Sequence, residues 1–125
     1  MEKPVVLILE DEPLIAWDLE TALSDAGFMA ALARSCFDAE RWLTDHSPDA
    51  ANLDMKLGDG ECVAVAKSLV ERDVPFIVHT GDDLFGRDEV FKSGIIVRKP
   101  ADTVAVVELV GSMLASGERQ RQAMP

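Results

Sequence analysis

The stretch NLDMKLGDGE, residues 52–61, sets an aspartate where an apolar run stops and a glycine-rich turn begins. The run that precedes it, AANL (50–53), has the length and apolarity of a short buried strand, and the glycines after it mark a turn. Asp54 therefore stands at a strand end. A carboxylate in that place serves as a nucleophile, a metal ligand, a helix cap or a solvated turn residue, and the rest of the chain decides which.

Four further β-rich runs flank this one: PVVLIL (4–9), FMAALA (28–33), PFIVH (75–79) and GIIVR (94–98). Stretches of helical period lie between them. Pro13 opens the first helix, which aligns Ile15, Leu19, Ala22, Leu23 and Ala26 before Gly27 stops it. Ser35, with Asp38 three residues on, caps a second that ends before Ser47 and Pro48. A third aligns Cys62, Val65, Ala66 and Leu69. The last, with Asp102 as its cap, aligns Val106, Val107, Val110, Met113 and Leu114. Only RDEVFKS (87–93) offers a helix between the fourth and fifth strands, one or two turns at most. Nearly continuous apolar strands separated by helices imply a doubly wound five-stranded parallel sheet covered on both faces, an α/β fold with a short or irregular fourth helix.

A chain of 125 residues fits one domain. The expected domain covers residues 1–115, and SGERQRQAMP (116–125) reads as a polar, frayed tail. A net charge of −11 speaks against a nucleic-acid surface, which needs clustered Lys and Arg. The five-residue apolar core 5–9, followed at once by three acids, is unlike a signal peptide or membrane span, so a cytoplasmic protein without membrane insertion is expected. Cys36 and Cys62 match no close metal-ligand spacing and read as two buried, reduced thiols. Trp17 and Trp42 read as packing residues. His79, turned by strand alternation away from the face of Thr80, reads as a packed structural histidine. Val104 and Leu109 fall off the main apolar face of the last helix, which suggests a partly apolar outer surface and a monomer or weak homodimer.

In such sheets ligands bind beyond the C-terminal strand ends. The first strand brings Glu10, Asp11 and Glu12 there, the third Asp54, the fourth Thr80 and Gly81, and the fifth Lys99 and Pro100. Crowded carboxylates repel unless a cation neutralises them, and oxygen-only ligands suit Mg2+. Mg2+ takes one or two carboxylates and a phosphate oxygen, which leaves Asp54 as nucleophile toward a phosphoryl group whose oxygens meet the metal, Lys99 and Thr80.

These segments, VVLILEDE (5–12), LDMKLGDG (53–60), HTG (79–81) and VRKP (97–100), resemble the four signature segments of the response-regulator receiver domain, the CheY-like fold of two-component signalling. The likeness runs from residue 5 to residue 114. It implies that Asp54 is the phosphoacceptor, that Glu10, Asp11, Asp54 and the Lys56 carbonyl hold Mg2+, and that Thr80 and Lys99 bind the phosphoryl oxygens. Glu10 stands where the family usually has Asp, Ile96 where many members have a Tyr or Phe that moves with the threonine, and Ala101 where Phe often follows Lys-Pro. The segment PFIVHTG (75–81) is similar to that of the single-domain receivers called the FAT GUY group. Pro75, Phe76, Thr80 and Gly81 fit its motif, whereas Val78, His79 and Asp82 replace its Phe, Ala and Tyr.

The resemblance implies a stand-alone response regulator, not an enzyme in its own right, phosphorylated by a sensor histidine kinase or phosphotransfer protein and signalling through protein contacts. A receiver-like interaction module that works without phosphorylation keeps the same residues. A haloacid-dehalogenase-like phosphatase needs a second acid two residues after the nucleophile, where this chain has Lys56. A flavodoxin-like cofactor binder needs a phosphate cradle after the first strand, where EDEPL (10–14) has the wrong charge.

Overall fold

The computed structural model describes residues 3–55, 57–81, 88–98 and 102–123, the last seven for their backbone alone. Five strands form one parallel sheet: β1 (Val5–Leu9), β2 (Met29–Ala33), β3 (Ala50–Asp54), β4 (Phe76–Thr80) and β5 (Ile95–Arg98), in the order β2-β1-β3-β4-β5. Between them run α1 (Pro13–Asp25), α2 (Cys36–Asp45) and α3 (Val63–Glu71), with a 3-10 helix, Glu89–Ser93, before β5 and α4 (Thr103–Ala123) after it. The expected architecture holds, the weak fourth helix being that 3-10 turn.

Strand alternation sorts the core into two layers. Leu7, Leu9, Ala51, Leu53 and Val78 pack with α2 and α3, while Val6, Ile8, Ala50 and Ile77 pack with α1 and α4. Helix ends obey local chemistry. Ser35 Oγ accepts from Asp38 N–H at 3.0 Å, and Asp102 Oδ1 accepts from Val104 N–H at 3.1 Å. Gly27, at φ +94°, ends α1 in a conformation that disfavours other residues. Arg72, just past α3, donates to the carbonyls of His46 at 2.9 Å and Leu43 at 2.7 Å, which fastens the C-terminal end of α2. Thr103 Oγ1 donates to Asp18 Oδ2 at 2.5 Å and ties the start of α4 to α1.

Several expectations are corrected. The buried line of α1 is Ala16, Leu19 and Leu23, while Ile15 and Ala26 are exposed, so the helix turns about one position from the face that its larger side chains suggest. Trp17 is 66% exposed and does not pack, whereas Trp42 packs against the α2/α3 layer and stacks on His46. Leu109 packs partly against the α1/α4 layer, which leaves only Val104 of that pair outward. Helix α4 continues to Ala123, through most of the segment that reads as a frayed tail.

The cysteines are also not two free thiols: Cys36 and Cys62 form a disulfide, their Cα atoms 5.0 Å apart. A separation of 26 residues conceals this proximity. Cys36 opens α2 and Cys62 precedes α3, and these helices begin side by side at the same end of the sheet, on the same face.

The two edge strands keep large apolar side chains in solvent, Met29 on β2 and Ile95 and Ile96 on β5. At the head of β5, Gly94 lies against Phe76. A Cβ there would come within 2.6 Å of the ring and 2.9 Å of the Phe76 carbonyl oxygen. Gly94→Ala is therefore expected to destabilise the domain by about 1–3 kcal/mol, read as a lower urea midpoint with an unchanged slope.

Candidate functional site

The site is built where β1 and β3 end. These strands are hydrogen-bonded neighbours, so Glu10, one residue past β1, and Asp54, the last of β3, emerge side by side, with Asp11 following at once. One carboxylate oxygen from each of Glu10, Asp11 and Asp54 lies within 4.8 Å of the others. Glu10 and Asp54 are buried and Asp11 is exposed. Glu10 Oε2 also accepts from Glu12 N–H at 3.1 Å, which fixes the turn into α1. Three hard oxygen donors, converging and partly withdrawn from water, fit a divalent cation such as Mg2+.

Thr80, the last residue of β4, is buried at the same end of the sheet. His79 beside it is buried as expected, its Nε2 2.6 Å from Asn52 Oδ1. With Glu10 these two line a groove of about 790 Å³ flanked by Leu14, Ile15 and Trp17 of α1. Lys56, Lys99 and Ala101 lie outside the described residues. Ile96 is on β5, 39% exposed.

Asp59 has a task that the sequence conceals. Its carboxylate reaches from the β3–α3 loop to the start of α2, where it accepts from Cys36 N–H at 2.9 Å and Phe37 N–H at 3.1 Å. These two bonds hold its pKa below the ordinary 3.8. The GDG turn was the only signal, and it does not say which helix a carboxylate will cap.

A family model for the response regulator receiver domain matches residues 6–111. The chain belongs to that family. Receiver domains are modules of two-component signalling in which phosphorylation and Mg2+ are standard, and the acidic cluster of this receiver suits the ion. The DNA-binding transcriptional regulator NtrC of Klebsiella pneumoniae is 27% identical over 98% of the receiver and 27% of its own length. The virulence transcriptional regulatory protein PhoP of Salmonella typhimurium is 30% identical over 71% of the receiver and 41% of its own length. The receiver thus spans well under half of these relatives. Among solved structures, a CheY-like receiver domain protein from Methanospirillum hungatei superposes with a TM-score of 0.84 at 20% identity, covering 95% of this chain and 99% of that one. The receiver domain of a signal transduction histidine kinase from Syntrophus aciditrophicus gives 0.76 at 26% identity, covering 90% and 91%. Among the described residues no helix is long and apolar enough to cross a membrane.

Two outcomes are expected. Mg2+ at a hundredfold excess over its Kd should stabilise the receiver by about 2.7 kcal/mol; Asp54→Asn should be more stable than the native chain without Mg2+ and gain less from it, as read by thermal unfolding. Asp59, whose folded pKa is depressed, contributes stability above 3.8 and loses it as the pH falls through the folded value. Asp59→Ala should therefore lower Tm at neutral pH, with the gap to the native chain closing in strong acid.

Proposed function

We propose that this receiver accepts a phosphoryl group on Asp54 from the phosphohistidine of a sensor kinase or phosphotransfer protein, and that the modified domain signals by binding another protein. The observation that carries the reading is the convergence of Glu10, Asp11 and Asp54 at adjacent strand ends. An Asp54 oxygen attacks phosphorus, the P–N bond breaks, and the histidine leaves with its electron pair. Mg2+, when bound, neutralises charge on the phosphoryl oxygens. Glu10, Asp11 and Asp54 would hold the ion with the Lys56 carbonyl, while Thr80 and Lys99 would each bind one phosphoryl oxygen. The chain is thus a phosphoacceptor that assists its own modification rather than an enzyme with a separate substrate.

Protein partners, rather than nucleic acid, fit the net charge of −11 and the exposed Leu14, Ile15 and Trp17 beside the acids. Residues 1–115 form the functional unit in this reading, and the compartment is the cytoplasm.

Intact mass after incubation with Mg2+ and acetyl phosphate is expected to rise by one phosphoryl group. Asp54→Ala should remain folded and gain none, and Thr80→Ala should gain it more slowly. A native chain that binds Mg2+ yet gains nothing from acetyl phosphate or a kinase panel would instead be an interaction module that works without phosphorylation.

A further inference from the structure

Cys36 and Cys62 lie outside the acidic cluster, yet they join α2 to the end of the loop that follows Asp54 and passes beside Asp11. Their disulfide binds the first residue of α2 to the residue that caps α3. The same junction is tied a second time by Asp59, through its bonds to the N–H groups of Cys36 and Phe37. Within the loop, Leu57 and Gly60 exchange two backbone hydrogen bonds, 2.8 and 3.1 Å long, which close a tight turn. Its Gly58 passes beside the acids: a Cβ there would stand 3.9 Å from Asp11 Oδ2. Cys62 itself is held at φ +55°, a conformation that residues other than glycine seldom adopt and that its surroundings must maintain. The sulfurs thus sit at one end of a loop whose Gly58 stands beside a carboxylate of the acidic cluster.

We propose that the Cys36–Cys62 pair is a reversible redox-modification site that tightens cation binding when oxidised, because the disulfide fastens the β3–α3 loop to α2 and preorganises the acidic cluster. The reductant is a dithiol. One of its thiolates attacks a cysteine sulfur, the S–S bond breaks, and the departing thiolate takes a proton. The second thiol then resolves the mixed disulfide, so the pair gains two electrons and two protons while the dithiol becomes a disulfide. Both cysteines are buried but not sealed, 8% exposed for Cys36 and 6% for Cys62. Once the bond is cut, the junction keeps the two Asp59 hydrogen bonds but loses its covalent tie. The effect on phosphoryl transfer rests on the reading of Asp54 given above; the effect on cation binding does not.

The test uses the full chain as purified, after dithiothreitol, and after reoxidation with oxidised glutathione. Alkylation followed by intact mass should add no group, then two, then none, as the two cysteines dictate. Mg2+ titration by tryptophan fluorescence should show affinity falling on the order of fivefold on reduction and returning on reoxidation. Cys36→Ala/Cys62→Ala should sit at the reduced value and ignore dithiothreitol. Equal Mg2+ affinity in both states of the native chain, or a pair that does not close again with oxidised glutathione, overturns the proposal whether or not the variant folds. Redox-dependent Mg2+ affinity without phosphoryl gain from acetyl phosphate or a kinase panel would sink the phosphoacceptor reading and leave the redox site standing.

Discussion

Carboxylates do not gather unaided. Two unit charges separated by the 4.8 Å that bounds the Glu10, Asp11 and Asp54 oxygens repel by roughly 3–4 kcal/mol at an effective dielectric of about 20. Holding three together requires a frame that does not yield, and a cation to reward the arrangement. The parallel sheet is that frame. Because its strands run one way, their ends lie on one side, and because β1 and β3 are adjacent, the backbone at Glu10 and Asp54 is kept side by side by a ladder between two buried strands.

The frame is reinforced unevenly. On one face, α2 and α3 are fastened at their C-terminal ends by Arg72 and at their N-terminal ends by Asp59 and the disulfide. On the other face, α1 and α4 are linked at the strand-end side by the Thr103 to Asp18 hydrogen bond, and Leu14 and Trp17 stay in solvent. The acidic cluster lies between a tightly tied layer and one that keeps apolar surface for contact.

The sheet was legible because its strands are apolar throughout, and the helices because their buried positions recur with the period of a helix. The convergence of Glu10, Asp11 and Asp54 was legible because each follows an apolar run, and parallel strands put such positions on one side. Details that depend on neighbours distant in the chain were not. Ala16 rather than Ile15 faces the sheet because the entry into α1 sets the helix rotation, which size and polarity do not encode. The Cys36–Cys62 bond and the Asp59 cap both depend on two helices starting side by side, a consequence of strand order. The continuation of α4 to Ala123 ran against the polarity of that segment, since polar residues with good helix propensity extend a helix already nucleated by packing.

The open edges of the sheet have a consequence for the molecule in a crowded solution. Strands that end a sheet with Met29, Ile95 and Ile96 uncovered invite pairing with the edge of another copy. Two copies that approach in this way each carry a charge of −11, and the repulsion acts over a Debye length of about 8 Å at physiological salt. The net acidity is thus colloidal protection. It opposes edge-to-edge stacking of the apolar side chains at both rims, and it weakens as ionic strength rises.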